Sequence, residues 1–173
     1  MCETKIFTVD KDRPNLDFLM ECAKIIKEGG IVAFPTETVY GLAASAFCDT
    51  AVKNIFKAKG RPSDNPLIVH IADMSELDGI ALEVPKIAKK CMDMFWPGPF
   101  TAVLPKTDKI PPCVSGGLNT VAVRMPKNDI TRQIIRLSGV ALAAPSANRS
   151  GSPSPSTAAH VIDDLSGRID AIV

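Results

Sequence analysis

Aromatic residues make up only 5% of the chain, with one Trp and one Tyr. A small fold centred on stacked rings is thereby excluded, and the core must come from Ile, Val, Leu and Ala in close-packed layers of helices and strands. An excess of charge is also missing: 20 Lys and Arg face 19 Asp and Glu, for a formal net charge of +1. That balance removes the broad electrostatic footprint of a protein that grips nucleic acid by phosphate neutralisation alone, and any basic site must be local. No apolar run approaches the ~18 residues of a membrane span. The stretch from Met1 to Lys11 carries charges throughout, so neither a spanning helix nor a secretion signal is expected, and no membrane partner.

The cysteines are odd in number and scattered (Cys2, Cys22, Cys48, Cys91, Cys113), with no C-x-x-C pair. Neither a disulfide framework nor a zinc knuckle is indicated, and a reducing, cytoplasmic setting is expected. Two histidines, His70 and His160, are too few to argue a metal cluster or a Cys–His dyad. Both common glycine-rich phosphate loops, G-x-x-x-x-G-K-[ST] and G-x-G-x-x-G, are absent, so a nucleotide would need a different cradle.

What is present suits one ordinary globular domain of 173 residues, 46% apolar. Leu16, Leu19, Met20, Ala23 and Ile26 form one helical stripe closed by Gly29-Gly30, predicting a helix near 15–28. The apolar run from Gly30 to Phe34 reads as a strand covered on both faces. Further strands are expected at 67–71, 100–104, 121–124 and 140–144, alternating with helices that start near Asp49, Pro85, Ile130 and Ser156. The segment from Lys57 to Pro66 reads as non-helical. The alternation supports an α/β architecture. Ala171-Ile172-Val173 reads as part of another buried strand, so the chain is expected to be a truncated piece.

Several segments could carry chemistry, each with a plainer alternative. If Lys57 to Pro66 is extended, Lys59 and Arg61 lie on one side and could clamp a triphosphate, though by itself the segment reads more readily as a solvated basic turn. Asn65 before Pro66 suits a turn, and His70 closes an apolar strand either as a structural group or as a substrate contact. Pro35-Thr36-Glu37-Thr38-Val39-Tyr40-Gly41 follows a buried strand, where open sheets place ligands; Thr36 and Glu37 could instead cap a helix. Pro145-Ser146-Ala147-Asn148 and the Ser150 to Ser156 loop precede a helix start, a natural place for anions or a plain surface loop. Ser115-Gly116-Gly117 reads as an anion nest or a turn. Arg124, closing the run Val121-Ala122-Val123, needs a buried or ligand-borne anion. It is the strongest single residue for gripping a carboxylate.

In order along the chain, Pro35-Thr36-Glu37-Thr38-Val39-Tyr40-Gly41-Leu42, Lys59-x-Arg61-Pro62-x-x-Asn65-Pro66-Leu67 with His70, Trp96-Pro97-Gly98-Pro99-x-Thr101, Val121-Ala122-Val123-Arg124-x-Pro126 and Ala144-Pro145-Ser146-Ala147-Asn148 closely resemble the YrdC/Sua5 family of threonylcarbamoyl-AMP synthases. The resemblance implies an open, twisted mixed α/β sheet flanked by helices, with a large concave basic site. It implies residues 1–173 as one YrdC-like domain lacking its C-terminal segment and any Sua5 C-terminal domain. The implied reaction is nucleotidyl transfer joining L-threonine, bicarbonate and ATP into L-threonylcarbamoyl-adenylate with release of pyrophosphate. Magnesium would accompany ATP. The product would feed a tRNA threonylcarbamoyl transferase that modifies adenosine 37, and tRNA or double-stranded RNA binding is a possible further property. By motif position, Thr38, His70, Arg124 and the Ala144 backbone would contact threonine. Lys59, Arg61, Asn65, Thr120, Ser146 and Ser154 would contact ATP, with Lys59 and Arg61 stabilising the reacting phosphates. Two other readings are a carbamoyl-adenylate enzyme of the hydrogenase-maturation type, whose acylphosphatase-like and zinc-finger segments are missing here, and a noncatalytic RNA-binding module.

Overall fold

The structure, a computed structural model, describes residues 3–173, so Cys2 lies outside the described residues. Eight strands, β1 (Lys5–Ile6), β2 (Val32–Phe34), β3 (Gly41–Ser45), β4 (Ile68–His70), β5 (Thr101–Pro105), β6 (Thr120–Arg124), β7 (Leu142–Ala143) and β8 (Ala171–Ile172), form one sheet in the order β1-β8-β2-β3-β7-β4-β6-β5. The sheet is mixed: β8 runs parallel to β1 and β2, and β6 to β4, while β3, β7 and β5 pair antiparallel with their neighbours. Among the described residues six α-helices flank it: α1 (Leu16–Lys27), α2 (Asp49–Lys59), α3 (Lys86–Phe95), α4 (Pro112–Ser115), α5 (Asp129–Ser138) and α6 (Ala158–Leu165). The expected open α/β sheet between helices is what is found.

Strand periodicity divides the core into two layers. Val32, Phe34, Ala43, Leu142 and Ala144 face α1 and α5, packing with Leu19, Ile26, Ile130 and Ile134, whereas Ala33, Leu42, Ala44 and Val69 face a larger layer with Val52, Ile55, Val161 and Leu165. Helix ends follow local chemistry. Asn15, Asn128 and Thr157 accept hydrogen bonds from the first turns of α1, α5 and α6, and Gly139 takes the left-handed conformation that closes α5.

One expectation and one alternative fail here. Lys57 to Lys59 form the last turn of α2, and only left-handed Gly60 (φ 63°) ends the helix. Pro62 restricts Arg61 alone and does not reach back to Lys59, so the two cations are split by a helix terminus rather than aligned on an extended segment. Thr36 and Glu37 cap no helix, because the chain turns through them directly into β3.

On β6, Val121 and Val123 are buried while Thr120, Ala122 and Arg124 on the alternate face stay half-buried. Val103 on neighbouring β5 is 66% exposed. This end of the sheet offers a partly open floor where ligands can lie.

Candidate functional site

Arg124 is placed by its strand. In register with His70 across β4 and β6, it shares a sheet face with that imidazole. Its Nη2 donates to Glu37 Oε1 at 2.7 Å and to Thr38 Oγ1 at 3.3 Å. The second Glu37 oxygen accepts from the Lys127 amide at 3.1 Å. Glu37 is therefore the anion that Arg124 requires, and the ion pair ties the 35–40 loop to the end of β6. Burial works against the Glu37 charge, but the Arg124 hydrogen bond and nearby backbone amides outweigh it and hold the carboxyl below its usual range.

His70 is buried, with its ring edge against Phe34 and Nδ1 3.3 Å from the Ile68 carbonyl. Desolvation, helped by the Arg124 charge, pushes its pKa down to about 4, so the ring is neutral at physiological pH. With Nδ1–H donating to Ile68, Nε2 is left as an acceptor.

Thr36 organises the turn before β3: its hydroxyl donates to the Val39 carbonyl at 2.6 Å and accepts the Thr38 and Val39 amides. On the other side, the Ala144 amide donates to the Ile68 carbonyl. Tyr40 stitches both sides together, its amide donating to Pro155 and its carbonyl accepting from Ala147, so both ends of the 147–155 loop are pinned to one residue. Thr36, Thr38, Tyr40, Ile68, His70, Arg124, Ala144 and Ser146 line an open cavity of about 110 Å³.

Lys59 comes to the same place from α2. Although only 4% exposed, its Nζ donates to the Ser146 carbonyl at 2.5 Å and the Asn148 carbonyl at 2.6 Å. Burial first, then the Arg61 charge, pull its pKa down to about 8, while Asp164 opposes them. The Lys59 carbonyl in turn accepts the Ser150 amide, and Asp164 on α6 accepts the Arg149 amide. Arg61 makes a long contact to the Pro66 carbonyl at 3.5 Å and buries an Nε that has no partner.

Of the residues named from sequence, the fold brings Thr38, His70, Arg124, Ala144 and Ser146 to one cavity, with Lys59 touching its Ser146 wall. Asn65, Thr120 and Ser154 lie outside that cavity. Thr120 opens β6 on the Arg124 face, four residues or about 13 Å away. Ser154, exposed, borders a separate hollow of about 390 Å³ with His160, Asp163 and Asp164. Tyr40, Asn148 and Glu37 were not assigned site roles. All three stood inside segments singled out from the sequence, and Glu37 left the clearest trace, as the carboxylate in a loop after a buried strand while Arg124 lacked a partner.

Both oxygens of Glu37 are engaged, and among the described residues no group of three His, Cys, Asp or Glu side chains could hold a metal ion. The polar side chains at the cavity are hydroxyls, one guanidinium and a neutral imidazole, which suit anions rather than a bare cation. Among the described residues no helix is long and apolar enough to cross a membrane.

The family model Sua5_yciO_yrdC, described by the words telomere recombination, matches residues 24–173. The threonylcarbamoyl-AMP synthase of Pyrococcus abyssi is 55% identical over 151 residues, covering 87% of this chain and 44% of that protein. A shorter relative of the same name from Pseudomonas aeruginosa is 32% identical over 157 residues, covering 90% of this chain and 84% of its own length. Among solved structures, P. abyssi Sua5 complexed with L-threonine superposes with a TM-score of 0.89 at 48% identity, covering 99% of this chain and 49% of that one. The chain thus spans about half the length of its Pyrococcus relative. With the family model matching residues 24–173 and 55% identity to the Pyrococcus protein over 151 residues, the chain belongs to the Sua5/YciO/YrdC family.

Proposed function

We propose that this domain catalyses formation of L-threonylcarbamoyl-adenylate and pyrophosphate from L-threonine, bicarbonate and ATP, the first step of threonylcarbamoylation of adenosine 37 in tRNA. The observation that carries this reading is the small cavity where Arg124, neutral His70 and Thr38 meet beside the Ser146 carbonyl held by Lys59. A cation, an acceptor nitrogen and a hydroxyl at one end suit the carboxylate, hydroxyl and amine of a small hydroxy-amino acid. The partly open floor along β6 towards Thr120 leaves length for a nucleotide laid end to end with it. The L-threonine complex of the Pyrococcus relative supports the assignment.

In this reading threonine is bound by Thr38, His70, Arg124 and the Ala144 backbone, and ATP by Lys59, Arg61, Asn65, Thr120, Ser146 and Ser154. The threonine amine attacks dehydrated bicarbonate and loses a proton to give a carbamate. A carbamate oxygen then forms a bond to the α-phosphorus as the bond to the pyrophosphate oxygen breaks. No protein nucleophile is needed. Catalysis is positioning plus electrostatics, Lys59 and Arg61 offsetting charge that moves towards pyrophosphate. Magnesium enters with the triphosphate as part of the substrate. Because a carbamate hydrolyses in water, the 147–155 loop is the element suited to close over it. The same reading puts the work in the cytoplasm, has a tRNA threonylcarbamoyl transferase take the product, and extends to tRNA or double-stranded RNA as a further partner.

The test is incubation with radiolabelled bicarbonate, L-threonine, ATP and magnesium. Label in an adenylate that requires threonine, with matching pyrophosphate, is the expected result. ATP turnover that ignores threonine, in both this chain and a full-length relative carrying it, overturns the reading.

A further inference from the structure

Glu37 has no substrate role in the scheme above, yet the fold spends both of its oxygens on the site. Oε1 accepts from Arg124 Nη2 at 2.7 Å and Oε2 from the Lys127 amide at 3.1 Å. The pair is largely sheltered, with side-chain exposures of 11% for Arg124 and 18% for Glu37. Thr38, Arg124 and His70 line the cavity, but Glu37 does not. Among the cavity side chains, Arg124 is the one that Glu37 holds by a hydrogen bond.

We infer that Glu37 is a positioning residue that fixes the rotamer of Arg124, so that the rest of the guanidinium fork faces the cavity as a rigid receptor for the carboxylate of the amino-acid substrate; this rests on the amino acid binding in that cavity. A free arginine side chain samples many rotamers, and each binding event would otherwise have to overcome part of that entropy. Anchoring one nitrogen to a carboxylate that is itself held by a backbone amide removes that cost before the ligand arrives. Nε of Arg124 is buried and has no protein partner, so a donor of the same fork remains unused. The arrangement also explains why the loop carries a carboxylate so close to a site for a carboxylate substrate. Glu37 balances Arg124 from outside the cavity, and the amino acid meets an oriented cation without an anion lining the wall.

The substitution Glu37→Gln keeps size and one acceptor but removes the charge, and Glu37→Asp keeps the charge but is too short to reach both Arg124 and the Lys127 amide. The expected result for Glu37→Gln is a rise of about tenfold or more in KM for L-threonine, with KM for ATP within about twofold of the unsubstituted protein. Glu37→Asp should fall between them. A second readout needs no turnover: in ¹⁵N spectra, the Nε–H resonance lost in Arg124→Lys should be sharp and slowly exchanging in the unsubstituted protein without threonine, and broadened in Glu37→Gln. Equal rises in both KM values with a lower Tm would make Glu37 a loop strap and overturn the inference, as would an unaltered Arg124 resonance. If the unsubstituted protein shows no threonine-dependent product while the resonance behaves as expected, the synthase reading fails and the Arg124 anchoring stands.

Discussion

His70 and Arg124 are register partners across β4 and β6, and the guanidinium adds to burial in keeping the imidazole uncharged. The folded pKa of about 4 lies below the ordinary 6.5, so between these values the unfolded chain binds a proton that the folded chain refuses. This contribution to stability is therefore fully present above 6.5 and falls as pH drops towards 4, by at most about 1.4 kcal/mol per pH unit. Denaturation midpoints across that window should fall less steeply in His70→Gln than in the unsubstituted protein. Parallel slopes would mean that the buried imidazole does not titrate as described.

Lys59 gives a prediction with the same sign in stability and the opposite sense in binding. Its folded pKa of about 8 is below the ordinary 10.5, so stability rises as pH climbs from 8 to 10.5, while the positive charge offered to phosphates is lost over the same rise. KM for ATP should increase above pH 8 without unfolding. Lys59→Met should remove both effects and leave two carbonyls without their ammonium, costing about 1–3 kcal/mol. A KM for ATP that stays flat across that range would count against phosphate contact by Lys59.

Arg124→Ala should separate the two substrates. Loss of hydrogen bonds between charged groups costs about 1.5–3 kcal/mol, or roughly tenfold to a hundredfold in affinity. Calorimetric titration should show that loss for L-threonine and little change for an ATP analogue. Equal weakening of both would contradict the assignment of Arg124 to the amino-acid carboxylate.

Gly116 closes α4 in the left-handed region (φ 61°), and a Cβ there would come within 2.7 Å of the Asp64 carbonyl oxygen and 3.1 Å of Pro66 Cδ. Gly116→Ala should cost about 1–2 kcal/mol from the conformation alone and more from the contact. Because the displaced turn carries Asn65, KM for ATP should rise as well. Thermal denaturation and ATP titration check both, and an unchanged Tm would refute the packing argument.

The helices and most strands were legible because their signals are local. The stripe from Leu16 to Ile26, the start of α6 near Ser156, and the apolar runs into β2, β4 and β6 depend only on neighbours in the chain. β3 left no such trace. Gly41-Leu42-Ala43-Ala44-Ser45 has little strand preference of its own and becomes a strand because it is buried between β2 and β7. The last turn of α2 was hidden for a related reason: Lys57 and Lys59 look like surface charges until the carbonyls of a loop almost ninety residues away take the Lys59 ammonium.

By itself the sequence determined the α/β class, the order of its elements, the family and the need of Arg124 for an anion, since periodicity, caps and motif spacing are properties of neighbouring residues. Tertiary structure alone decided that Glu37 supplies that anion, that Lys59 holds the 147–155 loop, and that Tyr40 pins both ends of it. These pairings link residues far apart in the chain, and only the register of the folded sheet brings them within hydrogen-bonding distance.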